Sequence, residues 1–309
     1  MEKTEREIPC NFSEIKQYII TDVQEISNNI ILAEKCYFYD TCSFRNHMVS
    51  SEQELLFDFI KETSGIVIIT RTVLMELCSG DGCLWKEQIE YIKNMFLYGI
   101  KVLVIYEEDV FDVLHTVYSD VAEINKWLSF AVKCVKNKTG KVEELVRQDG
   151  KLKQVILAGE ECKDSKLAKC LFTKIRSHKT PQDNMGEELL AISVHWLSRM
   201  RNFEEYKYIV LTDDKKAIPV MGKVIKNVRE YLGSNSIAVC TTIKLCSLLQ
   251  KADMIDNENQ ILKMLSYVNS EHEIKVYCSA EFELYPTEKS MSVQEYARAV
   301  FQEKIKVYF

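Results

Sequence analysis

The stretch Cys36-Tyr37-Phe38-Tyr39-Asp40-Thr41-Cys42-Ser43 decides how the chain is read. An apolar, aromatic run stops at Asp40, and hydroxyls follow at Thr41 and Ser43. The pattern suits a buried strand that hands a carboxylate and two hydroxyls to the open end of a sheet. Alone it is equally a turn former or a helix cap. Its meaning depends on whether other carboxylates reach the same edge.

Outward from this run the chain alternates. Ile66-Val67-Ile68-Ile69-Thr70 follows Gly65 and is apolar almost throughout, as expected of a parallel strand covered on both faces. Further strands are expected at 100–105, 208–212 and 236–240. Helical spacing fills 50–63, a segment starting near Thr72, 84–98, 182–197, about 220–231, and 241–252 with Thr241 or Thr242 as its cap. Phe12, Ile15, Ile19, Val23, Ile26 and Ile30 predict an amphipathic helix or helix pair over 11–35. From 107 to 180 the alternation gives way to helical patterns alone, at 110–117, 124–135, 142–146, 152–157 and 167–175. Beyond the sheet, 259–268 and 292–304 read as helices and 273–285 as extended. Ile-Lys-Val-Tyr occurs at 274–277 and 305–308, two copies that could pair as short strands.

The expected fold class is therefore α/β. It has an open, mostly parallel sheet of about five strands flanked by helices, a helical insertion and a small C-terminal appendage. The division is a helical lead-in (1–35), a core (36–254) interrupted by the insertion (107–180), and an α+β appendage (255–309).

Composition narrows the function classes. The 47% apolar content of the 309 residues is that of a globular chain, not a disordered one. No apolar run reaches the roughly 18 residues a bilayer demands, and the charged start Met1 to Pro9 lacks a signal-peptide core. A cytoplasmic location without membrane contact is expected. Eleven cysteines, several within apolar runs (Cys36, Cys134, Cys170, Cys240), read as small buried hydrophobes in a reducing compartment. No Cys-x-x-Cys pair occurs, and Cys78 and Cys83 read as structural, so zinc has no framework. The net charge is −6, but residues 131–180 hold 13 Lys and Arg against 6 Asp and Glu. That block is either a phosphate-binding arm or a solvated helical surface.

Ligands of open parallel sheets lie outside the carboxyl ends of the strands. Asp40 ends the first strand, Asp213 and Asp214 end the fourth, Glu76 follows the second, and Glu187 opens the helix before the fourth. Each has a local reading. Asn184-x-x-Glu187 fits a capping box, Glu76 and Glu188 suit early helical turns, and either aspartate could cap a helix. Gathered together, the acids repel unless a cation intervenes, and hard oxygen ligands favour Mg²⁺ or Mn²⁺. Metal-assisted phosphodiester hydrolysis is the matching chemistry. Arg71, Lys215 and Lys216, beside these acids, could hold a phosphate or simply balance charge.

Phe38 to Ser43, Thr72 to Glu76, Gly186 to Ile192 and Val210 to Asp214 together resemble the PIN-domain nuclease family. Cys240 to Asp253 also resembles that family's last strand and helix. The resemblance covers about residues 36–254, apart from the insertion. It implies Asp40, Glu76, Glu187 and Asp214 as metal-binding acids, with Thr41 or Ser43 as the supporting hydroxyl. Asp213 competes with Asp214, and Asp183 with Glu187. It also implies an RNA substrate in preference to DNA, and leaves open a protein inhibitor or regulatory partner. A haloacid-dehalogenase-type phosphatase would need a second Asp where Cys42 stands. A silent PIN-like scaffold that binds RNA or protein is the competing class.

Overall fold

The computed structural model describes residues 8–135, 140–180, 185–200, 205–268, 273–280, 283 and 285–308. The first half runs α1 (Val23–Leu32), β1 (Lys35–Tyr39), α2 (Thr41–Val49), α3 (Gln53–Glu62), β2 (Gly65–Thr70), α4 (Arg71–Leu77), α5 (Lys86–Leu97) and β3 (Val102–Ile105). The insertion supplies α6 (Val110–His115), α7 (Val121–Val135), α8 (Lys141–Arg147), α9 (Gly150–Leu152), which continues as a π-helical stretch (Lys153–Ala158), and α10 (Leu167–Ser177). Then come α11 (Met185–Leu197), β4 (Tyr208–Leu211), α12 (Ala217–Leu232), β5 (Ile237–Cys240), α13 (Thr242–Lys251) and α14 (Glu258–Met264). The chain closes with β6 (Glu273–Ala280), β7 (Thr287–Ser292), α15 (Val293–Phe301) and β8 (Ile305–Val307).

Strands β3-β2-β1-β4-β5 form one all-parallel sheet. Its side chains alternate, yet both faces are apolar. Cys36, Phe38, Ile66, Ile68, Leu103 and Ile105 enter one core, while Tyr37, Tyr39, Val67, Ile69, Val102 and Val104 enter the other. The first core is completed by α1, α6–α8 and α10–α12, so the insertion packs directly on a sheet face. The second is completed by α2–α5, α13–α15 and β6. The antiparallel sheet β7-β6-β8 stands apart from the parallel one and docks through Ile274, Val276 and Cys278.

Three details differ from the sequence expectation. Residues 11–35 are not a helix pair. Only α1 is α-helical, and short 3₁₀ turns precede it. Ile20 instead donates to Val102 O and accepts from Val104 N (2.9 Å each), so pairing to the sheet edge outweighs the helical periodicity. In the tail the strands carrying the two Ile-Lys-Val-Tyr copies do pair, but out of register: β8 lies against Cys278–Ala280, and the copies meet at their ends, where Tyr308 N–H donates to Tyr277 O (3.0 Å). The first copy is paired with β7, a polar, largely exposed edge strand whose residues carry no apolar alternation to announce it. Finally, the cysteines are not all free. Cys10 and Cys83 form a disulfide that ties the N-terminal segment to the loop after α4, and Cys170 is exposed on α10.

The insertion is anchored by a side chain adjacent to the proposed site. Glu188, 2% exposed, accepts the backbone N–H groups of Lys141 and Val142 (3.1 Å each) and so caps α8. Removing the carboxylate leaves buried donors without it. Glu188→Ala is therefore expected to cost about 1–3 kcal/mol, measurable as a lower urea midpoint. Faster amide exchange concentrated in residues 140–147 is the accompanying signature; a uniform change across the chain would contradict the capping role.

Candidate metal-binding site at the sheet edge

Strand order reverses at β1. β2 and β3 build outward on one side, β4 and β5 on the other. The crevice of such a sheet opens at that reversal, outside the carboxyl ends. Tyr39 pairs with Leu211 there, and Asp40 N donates to Leu211 O (3.0 Å), so Asp40 and Thr212 leave adjacent strands side by side. Thr212 Oγ1 donates to Asp40 Oδ2 (2.7 Å) and accepts from the backbone N–H of Asp214 (3.1 Å). One hydroxyl thus links the first strand's acid to the second of the paired aspartates.

Asp40 is buried at the N-terminus of α2, where Thr41 N donates to Oδ1 (2.7 Å). Cys42 Sγ donates to Oδ2 (3.0 Å). Burial pushes the Asp40 carboxyl up, the three donors pull it back, and Glu76 raises it further. Cys42 is held as a neutral thiol, pushed up to about 12 by burial and by Asp40. It behaves as a donor and not as a soft thiolate ligand.

Glu76 joins from the last turn of α4. Thr41 Oγ1 donates to its Oε2 (2.6 Å), and Arg45 Nη2 holds its backbone carbonyl (2.7 Å). Its other oxygen, Oε1, is 2.8 Å from Lys179 Nζ, just past the end of α10. Gly186 lies against the same carboxylate. A Cβ at that position would stand 3.1 Å from Glu76 Cδ, so a larger residue there would push on the Glu76 carboxylate. Glu187 follows directly and senses the charges of Asp214, Glu76 and Asp40. Burial first, and then those three acids, push it up to about 7.

Asp40, Glu76, Glu187 and Asp214 therefore share one rim, while other candidates point elsewhere. Asp213 accepts from Ser43 Oγ (3.0 Å), Asn46 Nδ2 (2.9 Å), Thr242 N (2.7 Å) and Thr242 Oγ1 (2.6 Å). Four donors on α2 and α13 commit it to joining those helices, and Ser43, fully buried, serves it. Of Thr41 and Ser43, Thr41 is the one whose hydroxyl contacts a rim acid. Arg71 is 2% exposed, ion-paired with Glu108 and stacked over Tyr106 (3.9 Å to the ring centre), not presented to a phosphate. Lys215 and Lys216 are exposed next to Asp214. Asp183 and Asn184, and with them the capping box, lie outside the described residues. Among the described residues of the basic block, seven cations are ion-paired, including Lys151 with Asp164, Lys174 with Asp149 and Arg176 with Glu107 and Glu108.

Sequence reading misses Lys179, Thr212 and His47. The first two carry no motif, since an isolated lysine after a helix and a threonine at a strand end are commonplace. His47 belongs to a buried relay. Thr242 Oγ1 donates to Asp213, so it must accept from His47 Nε2–H (2.9 Å); His47 Nδ1 then accepts from Tyr39 O–H (3.0 Å), and Tyr39 accepts from Tyr91 O–H (3.0 Å). Burial depresses His47 to about 4, keeping the ring neutral against the opposing pull of Asp213.

Among the described residues, no three His, Cys, Asp or Glu side chains stand ready together as a metal-ion group. Glu76 is engaged by Thr41 and Lys179, and Asp40 by three donors. The donor set nevertheless fits a hard divalent cation. It is all oxygen, neither histidine nor thiolate intrudes on the rim, and negative charge accumulates around Glu187. Comparison with protein-family models, curated proteins and solved structures finds no match for this chain.

Two outcomes are expected. Tyr39→Phe strands the His47 Nδ1 acceptor and is expected to lower stability by about 1–3 kcal/mol in urea unfolding, whereas Tyr91→Phe removes only the terminal donor and costs less. The second concerns pH. Because Glu187 is raised when folded, its favourable contribution is fully present below the ordinary glutamate range and is lost as pH rises through about 7. In chelator, the melting temperature of the wild type relative to Glu187→Gln should therefore fall between about pH 5 and pH 8. Mn²⁺ should restore it at the higher pH, and a flat difference would contradict the arrangement.

Proposed function

We propose that this protein is a divalent-metal-dependent endonuclease of the PIN-like type that hydrolyses phosphodiester bonds. RNA is preferred to DNA, on the strength of the sequence resemblance alone. The observation that supports the reading best is the contact chain across the sheet edge. The Thr212 hydroxyl bridges the Asp40 carboxylate to the backbone N–H of Asp214, Thr41 joins Asp40's helix to Glu76, and Gly186, the chain neighbour of Glu187, lies against the Glu76 carboxylate. The acids come from four separated segments, and packing alone has no need to bring them together.

Asp40, Glu76, Glu187 and Asp214 would hold Mg²⁺ or Mn²⁺. When bound, such an ion supplies a more acidic water and neutralises charge on the phosphate under attack. The chain's own groups do the positioning. Thr212 and Thr41 N–H orient Asp40, and the Thr41 hydroxyl orients Glu76. Asp213 fixes α2 and α13 beneath them. Glu187, raised to about 7, would have to be deprotonated to serve as one of the ion's oxygen ligands. Lys215 and Lys216, exposed next to Asp214, would meet a substrate phosphate as point charges. We place the protein in the cytoplasm with nucleic acid as its partner. Among the described residues no helix is long and apolar enough to cross a membrane.

The Lys179–Glu76 pair and the absence of an assembled metal group among the described residues favour one other reading, a scaffold that binds RNA or protein without cutting. The test is incubation with labelled single-stranded RNA and DNA in Mn²⁺, Mg²⁺ or chelator. Metal-dependent cleavage is expected, with Asp40→Asn lowering the rate by at least about a hundredfold, several kcal/mol in the barrier, while circular dichroism stays native. Undiminished cleavage by Asp40→Asn would remove the site; RNA retention without cleavage in any metal would leave the scaffold.

A further inference from the structure

The ammonium of Lys179 stands where the reading above needs a free carboxylate. Glu76 has two oxygens. Oε2 takes the Thr41 hydroxyl, and Oε1 takes Lys179 at 2.8 Å. The pair is no loose surface contact, for the two side chains are 20% and 28% exposed. Nor is Lys179 free to wander. It follows α10, and its backbone N–H donates to Arg176 O (3.0 Å). Arg176 is clamped to Glu107 (3.2 Å) and Glu108 (2.6 Å). Glu107, fully buried, also accepts the backbone N–H of Thr72 (2.8 Å) in the first turn of α4, the helix that carries Glu76. The same ion cluster therefore positions both partners of the Lys179–Glu76 pair.

A monovalent cation on Oε1 and a divalent cation held by Asp40, Glu76, Glu187 and Asp214 would compete for one carboxylate, and two cations sharing it would repel. We propose that Lys179 is a built-in counter-cation of the site: it holds Glu76 in the metal-free protein and must leave that carboxylate for a divalent ion to load. The insertion thereby acts on the core through its last residues, since metal loading changes what the end of α10 is bound to. This inference rests on the metal-site reading.

The readout is metal uptake by the full chain, measured by Mn²⁺ titration with calorimetry and by the electron paramagnetic resonance signal of free Mn²⁺. Lys179→Met keeps the apolar stem and removes the charge. It is expected to bind Mn²⁺ roughly two- to fivefold more tightly than the wild type, the fold-change expected for losing a competing, partly exposed ion pair. It should also melt at a lower temperature in chelator, because the acids lose their counter-charge. Lys179→Arg retains the charge and should keep wild-type affinity, which separates competition from a general loosening of the fold. Equal Mn²⁺ affinity in the wild type and Lys179→Met, or an equal gain in Lys179→Arg, overturns the inference while leaving the metal site standing. Mn²⁺ uptake by none of the three overturns the metal site and the inference with it. Uptake by Lys179→Met alone supports both.

Discussion

Negative charge concentrated at one edge of a parallel sheet is the constraint that the local architecture answers. The reversal of strand order at β1 places Asp40 beside the Thr212-Asp213-Asp214 turn, and helices following β2 and preceding β4 add Glu76 and Glu187. Carboxylates so close cannot all stay ionised without compensation. Each is answered differently. Asp40 has an N-terminal amide, a thiol and a hydroxyl. Asp213 has four donors from α2 and α13. Glu76 has a hydroxyl and an ammonium. Glu187 is raised first by its burial and then by the three acids around it.

The insertion is part of that answer and not an ornament. Its helices α6–α8 and α10 share an apolar core with one face of the sheet. Neighbouring glutamates divide the work at the junction, with Glu187 facing the acids and Glu188 capping α8. On the far side, Glu107 and Glu108 receive Arg176 and, through Thr72 N–H and Arg71, hold α4. Burial pushes Glu108 up, but the hydrogen bonds and charge of Arg176, with Arg71 behind them, bring it below the usual carboxylate range. An ion network of this kind is costly to break at any one member, because it leaves a buried charge without its partner.

Much of this was legible in one dimension. Five apolar runs separated by helical spacing gave the α/β class and the strand positions, because a strand buried on both faces must be apolar at nearly every residue. The insertion helices were legible for a similar reason, since each buries one stripe, as in Val142, Leu145 and Val146 of α8 or Leu167, Leu171 and Ile175 of α10. The polar edge strand β7 was not, because it presents almost nothing apolar to a core. The Ile20 bridge was not, because backbone pairing at a sheet edge leaves no mark on side-chain periodicity. The Cys10–Cys83 disulfide was not, because 73 residues separate its partners.

For the candidate site, the order of residues determined which acids end strands and open helices, and so which could share a rim. It could not choose between Asp213 and Asp214, adjacent in the chain and alike in chemistry. In the fold Ser43, Asn46 and Thr242, which arrive from other elements, claim Asp213, while among the described residues Asp214 Oδ1 accepts only from the nearby Lys216 N–H. Nor could it anticipate that Arg71 would turn into a buried ion network, or that Lys179 would reach Glu76 from 103 residues away. Local sequence sets where a carboxylate lies along its own element. Only the folded packing sets which donor or cation meets it, because those partners are close in space through the strand reversal and the insertion, not through the chain.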